Sequence, residues 1–188
     1  MESLKLDAAS TALILIDLQH SVVGRETAPY TASAVVEKSA VLATAFREKG
    51  ATVVYVRVNL SDFLKLPVDL PPAVPANLPP MASEIVPESG VQPGDMIITK
   101  RHWGAFSGTE LEARLRSAGV KTVVIGGIAT TIGVETTARN AAGLGFAVVL
   151  VEDACTDRDA AAHHASFEKI FPRLGRVRKS AEVIAALG

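Results

Sequence analysis

Three places in this sequence carry residue types able to do chemistry. Asp17 closes the short apolar run TALILID (11–17). A carboxylate at the end of such a run is costly to bury unless it is paired or used; a helix cap or a loop hydrogen bond is the plainer alternative. Lys100 closes GDMIITK (94–100) in the same way, although a lysine at a strand end often only points to solvent. If the two charges meet, each shifts the other's proton affinity, and together they form a candidate acid/base unit. The third place is GGIATTIGVETTAR (126–139). Gly126 and Gly127 permit a tight turn. The helix start that follows presents backbone N–H groups that favour an oxyanion or a substrate carboxylate. Gly133 has no side chain to keep a ligand off the backbone. Taken alone, this stretch also reads as a glycine-rich strand–helix junction with no ligand.

Around these lie candidate substrate-binding residues: Gln19, Arg57, Trp103, Phe106, Ala129, Thr130 and Gly133. Arg57 can hold a substrate carboxylate. Trp103 and Phe106 can wall a pocket for a planar ligand, while Trp103 equally suits a contact between subunits. His20 and His102 flank the motifs and either line the pocket or serve the loops. His163 and His164, set among alanines, read as surface or packing residues. Cys155 is the only cysteine, and it reads as a small buried residue rather than a substitute nucleophile.

The elements that must position these residues alternate. Strands are expected over 11–17, 51–58, 94–100, 121–127 and 146–153, with a short sixth over 176–179. Helices are expected over 31–50, 107–119, 131–145, 157–171 and 180–187. The first helix ends on Lys49 and Gly50, and Ser107 or Thr109 caps the second. Strands apolar throughout, alternating with amphipathic helices, predict an α/β fold with a mainly parallel, doubly wound sheet and helices on both faces. Ligands of such sheets bind at the carboxyl ends of the strands, where Asp17, Lys100 and the 128–133 turn all fall. Eight of the ten prolines lie in 60–94, which excludes regular structure over most of that stretch. So long a loop either packs over a site or is an excursion of the kind that can form an oligomer contact.

Composition narrows the function classes. A length of 188 residues suits one domain, 1–188. A formal net charge of −1 gives no reason to expect nucleic acid or a membrane surface as a partner. The apolar stretches are strand-sized, far short of the roughly 18 residues of a membrane helix, and the first ten residues do not read as a secretory leader. A lone cysteine fits a reducing, cytoplasmic setting, and so few Cys and His make a structural zinc site unexpected.

LILIDLQ (13–19), TKRHWGAF (99–106) and GGIATTIGVETTAR (126–139), in this order and spacing, resemble the signature blocks of the isochorismatase-like, or cysteine hydrolase, superfamily; VEDACTD (151–157) fits its next block. The resemblance covers nearly the whole chain. It implies a doubly wound sheet of strand order 3-2-1-4-5-6, a homo-oligomer, Asp17 as catalytic aspartate, Lys100 as catalytic lysine and a cis peptide at Ile128–Ala129. It also places Gly133 at the position of the nucleophilic cysteine of the amidase members. The metal site of the nicotinamidase members needs an aspartate and histidines after the second strand, where this chain has Arg57, Val58, Asn59 and Leu60, so no catalytic metal or other cofactor is expected.

Gly133 cannot form a covalent intermediate. True isochorismatases also carry glycine there and cleave a vinyl ether with the aspartate as proton donor. This chain departs from them in having Ala129, Thr130 and Thr131 where they usually read Tyr-Ala-His. Its motif more closely resembles that of a subgroup of bacterial hydrolases with an ATN-x-GVESTAR type of block. The leading expectation is thus a hydrolase of a small metabolite without a covalent cysteine step, by vinyl-ether or C–N bond hydrolysis. The alternative is a catalytically inactive small-molecule binder or scaffold.

Overall fold

The computed structural model describes residues 3–71 and 77–188. Six strands form one sheet: β1 (Thr11–Ile16), β2 (Thr52–Val58), β3 (Met96–Lys100), β4 (Thr122–Ile128), β5 (Ala147–Thr156) and β6 (Arg176–Arg178). Every pairing is parallel, in the order β3-β2-β1-β4-β5-β6. Between and around them run α1 (Ala32–Glu48), α2 (Leu111–Ser117), α3 (Glu135–Gly143), α4 (Ala160–Ala165) and α5 (Ser180–Ala186). The expected topology is the one observed.

Side chains alternate across a strand, and both faces of this sheet are covered. Leu13, Leu15, Val53, Tyr55, Val124 and Val149 pack with Val35, Leu42 and Phe46 of α1 and Val183 of α5. Ile14, Ile16, Val54, Val56, Ile98 and Ile125 pack on the other face with Leu111 and Leu115 of α2 and Ala138 and Ala141 of α3. Two-sided burial is why the strands read as unbroken apolar runs.

Several boundaries differ from those expected, each for a local reason. The second helix starts at Leu111 rather than near Ser107, after a turn over 105–109 that the Thr109 hydroxyl closes on the Ala105 carbonyl at 2.6 Å while the Ala105 N–H donates to Thr137 Oγ1. Thr109 still serves the helix start, accepting from the Leu111 N–H. The helix after β4 opens with a wide turn over Thr130–Val134. The helix of 157–171 is broken into α4, a second wide turn (Ser166–Ile170) and a short turn around Pro172, which has no N–H to continue a helix. β5 runs to Thr156, past a register shift opposite Gly126.

The proline-rich stretch is not a bare excursion where it is described; residues 72–76 lie outside the described part. Its second half is built onto the sheet and α1. Arg47 grips both carboxylate oxygens of Asp95 at 2.9 Å and donates to the Gly90 carbonyl, while the Tyr55 hydroxyl donates to the Ser89 carbonyl. Its first half, through Phe63, Leu64, Leu66 and Val68, lines a hollow of about 210 Å³ beside Trp103. Among the described residues no helix is long and apolar enough to cross a membrane.

Candidate active site

Asp17 follows the last residue of β1 with φ +53°, a left-handed conformation rare outside glycine but more accessible to Asp than to bulkier residues. Its N–H donates to the Val56 carbonyl, which fixes it against β2. Lys100, last of β3, shares the sheet face of Ile98. Neighbouring strands lie about 4.8 Å apart, so the lysine must reach past β2, and its long stem does so under nearly complete burial (1% exposed). Its ammonium ends 2.8 Å from Asp17 Oδ2 and 2.8 Å from the Trp103 carbonyl oxygen. The other carboxylate oxygen, Oδ1, is buried and has no hydrogen-bond partner among the described residues. Burial raises the proton affinity of Asp17, and Lys100 opposes that rise without cancelling it.

Two glycines make room for this pair. Gly127 of β4 lies at φ +126°, and a Cβ on it would stand 2.2 Å from the Ile16 carbonyl oxygen and 2.5 Å from the Ile16 nitrogen. Only glycine lets β4 pass so close to the residue before Asp17. Gly133 lies over the pair itself: a Cβ there would sit 3.3 Å from Asp17 Oδ2, 3.4 Å from Lys100 Nζ and 3.0 Å from Ile16 Cγ2. The Ile128–Ala129 peptide is cis.

The remaining candidates divide. Trp103 meets Phe63 at 4.7 Å between ring centroids and, with Gly104, Ser107, Thr136, His102 and the 63–68 segment, lines the hollow. Gln19 is fully buried, its carboxamide spent on the Val58 N–H and carbonyl and on the Ala82 carbonyl, so it ties loop to sheet. Arg57 shares the face of Tyr55, opposite to Lys100, and donates to Thr99 Oγ1 at 3.1 Å. Phe106 packs on Phe146 against the second core face, outside the hollow's lining. Thr130 is buried, with Oγ1 2.8 Å from Nδ1 of the equally buried His163. Ala129 is half-buried at the start of the turn. Cys155 is buried among the residues of the second core face, which pushes its thiol well above the usual range and leaves it no thiolate to react with. Among the described residues no group of three or more His, Cys, Asp or Glu is placed to hold a metal.

Sequence reasoning missed two residues that hold the 129–133 turn. Asp157 Oδ2 accepts from the Thr131 N–H at 2.7 Å and from the Thr131 hydroxyl at 2.8 Å, and His163 meets Thr130 from α4. Asp157 had a signal, being the last residue of the fourth motif block; His163, 33 residues from Thr130, had none.

Residues 11–182 match the Isochorismatase domain family. The chain belongs to that family of hydrolases. It is 45% identical to the uncharacterized isochorismatase family protein YecD of Escherichia coli O157:H7, over 98% of this chain and 100% of that protein. It is 39% identical to the uncharacterized isochorismatase family protein YwoC of Bacillus subtilis, over 98% and 97% of the two chains. Its fold superposes on that of an isochorismatase family protein from Burkholderia thailandensis with a TM-score of 0.92 and 41% identity, covering 98% of each chain.

Proposed function

We propose that this chain hydrolyses a small anionic or planar metabolite without a covalent enzyme intermediate, as a glycine-for-cysteine member of its superfamily. The observation that carries this reading is the position of Gly133. A side chain there would touch both members of the Asp17–Lys100 pair, so the place of a nucleophile is left to substrate or water. Asp17 Oδ1, buried and without a partner among the described residues, is the proton-transfer atom, and Lys100 holds Oδ2 and balances its charge. The Thr131 N–H is spent on Asp157, and the Ile132 and Val134 N–H groups on the Ala129 carbonyl. An oxyanion at this turn is therefore met by the N–H groups of Ala129, Thr130 or Gly133.

Of the two reactions open to such a site, vinyl-ether cleavage fits better. A protonated carboxyl delivers its proton to the terminal vinyl carbon while water adds to the adjacent carbon and returns a proton to the carboxylate. The resulting hemiketal collapses, its ether C–O bond breaking to release the alcohol and a ketone. Burial favours the protonated form that starts the sequence. Water-mediated C–N hydrolysis would use the ionised form as base. Neither reaction requires a cofactor or metal. The hollow beside Trp103 accommodates an apolar or planar part of the substrate, and a homo-oligomer is supported by exposed apolar residues such as Leu66, Val68 and Leu70.

The test is to incubate the protein with isochorismate and follow pyruvate release, with Asp17→Ala as control. Release by the wild type alone supports vinyl-ether hydrolysis with Asp17 as the acid. No release removes that reaction on that substrate and directs the search to small amides and carbamates.

A further inference from the structure

The turn over the acid/base pair is held both from within and by its neighbours. From within, the Ile132 and Val134 N–H groups donate to the Ala129 carbonyl at 3.3 and 3.1 Å, the Glu135 N–H donates to the Thr130 and Ile132 carbonyls, and the Thr137 hydroxyl of α3 donates to the Gly133 carbonyl at 2.7 Å. The shortest contacts on its first residues come from Asp157, just after β5, and from α4. Asp157 supplies one carboxylate oxygen to both the N–H and the hydroxyl of Thr131, and its other oxygen accepts from the Arg158 N–H. Asp157 is itself held through its backbone, which exchanges two hydrogen bonds with Ala28.

On the other side, the His163 ring is fully buried between Phe167, whose centroid is 4.7 Å away, and the edge of Tyr30 at 6.0 Å. Its Nδ1 is 2.8 Å from Thr130 Oγ1, and its Nε2 has no hydrogen-bond partner among the described residues but faces Glu152 Oε1 at 3.8 Å. That carboxylate oxygen accepts from the Tyr30 hydroxyl, and Lys179 contacts the other. A neutral imidazole has one N–H and one lone pair. A lone pair on Nε2 would face a carboxylate, so the proton belongs on Nε2, and Nδ1 accepts from the Thr130 hydroxyl.

We propose that His163 and Asp157 are positioning residues: His163 through the Thr130 hydroxyl, and Asp157 through Thr131, set where the 129–133 turn stands over Asp17 and Lys100. This rests on the reading of that turn as the wall of the reaction site. The contact with Thr130 is directional, so the hydroxyl matters more than the methyl group. Buried threonine could equally serve as filler, and two substitutions separate these roles. Thr130→Val keeps the shape and removes the hydroxyl; Thr130→Ser keeps the hydroxyl and removes the methyl.

The experiment follows backbone amide exchange of residues 129–134 and the imidazole nitrogen resonances of His163 by NMR in the full chain, with no ligand. The expected result is the Nε2–H tautomer in the wild type, amide exchange at least tenfold faster in Thr130→Val, and exchange within twofold of wild type in Thr130→Ser. The Nδ1–H tautomer, unchanged exchange in Thr130→Val, or equal loosening in Thr130→Ser would each overturn the proposal. Because these readouts need no turnover, a protein that hydrolyses nothing leaves this outcome legible. With a substrate in hand, Thr130→Val lowers kcat and leaves KM within twofold, and Thr130→Ser restores kcat; loss in KM alone would argue against positioning.

Discussion

Gly133 and the pair beneath it define what this chain can do at the scale of single residues. In Gly133→Ala the new methyl would stand 3.0 Å from Ile16 Cγ2 and 3.3 Å from Asp17 Oδ2, closer than ordinary contact. Turnover is expected to fall at least tenfold by steady-state kinetics, with the melting temperature lowered by only a few degrees. Lys100→Met preserves the buried stem but leaves Asp17 without its countercharge. Removing one member of a buried pair costs about 3–5 kcal/mol when the other stays charged. An Asp whose folded pKa is raised binds its proton more tightly in the native state, so the native fold is favoured at low pH and loses that advantage as pH rises through the raised value. The deficit of Lys100→Met in denaturant unfolding should thus be small near pH 4 and grow toward pH 8; a deficit independent of pH would show that Asp17 does not ionise there. Asp17, Lys100 and Gly133 were legible in the sequence because charges ending apolar strands, and a glycine opening a helix, are local signals. Arg57 and Phe106 misled because a strand end or an aromatic does not declare which face it takes; strand period puts Arg57 on the side of Tyr55, away from Lys100.

The wide turn Thr130–Val134 and helix α4 work as one element, joined by the buried His163. Burial, with a smaller push from His164 and against the pull of Asp157, lowers the His163 pKa to about 4 from an ordinary 6.5. The depressed value means that the native state favours neutral imidazole. Stability from this group is complete above pH 6.5 and is lost as pH falls toward 4, by about 3 kcal/mol from the size of the shift. His163→Asn, which keeps a polar group near Nδ1 and does not titrate, should have a flatter stability profile between pH 6.5 and 4 in urea unfolding. A slope equal to that of the wild type would assign the acid sensitivity to another group. The elements themselves were readable from period and from Gly stops. The wide turns and the late start of α2 were not, because they answer to contacts with Thr137, Asp157 and His163 made only once the sheet is assembled.

For the whole molecule, the question is how a proline-rich stretch of more than thirty residues stays attached to a six-stranded sheet. Arg47, Tyr55 and Gln19 each reach it from regular structure. Gln19 is the closest to the site, two residues from Asp17, and its carboxamide joins Val58 of β2 to Ala82. Gln19→Leu would leave those buried backbone groups unpaired, at about 1–3 kcal/mol each. Faster amide exchange over 81–86 is expected from it with the sheet core unchanged; uniform exchange over the whole chain would place the role of Gln19 in global stability instead. The central claim, however, is hydrolysis by Asp17 and Lys100 with no covalent step. Its most direct test is a single-turnover assay of wild type and Asp17→Asn on isochorismate and a panel of small amides and carbamates, with intact-protein mass spectrometry during turnover. The account predicts hydrolysis of at least one of these by the wild type, no mass adduct on the protein, and a rate about 10²–10⁴-fold lower in Asp17→Asn. An adduct on the protein, an undiminished rate in Asp17→Asn, or no hydrolysis at stoichiometric protein on any of them would contradict it.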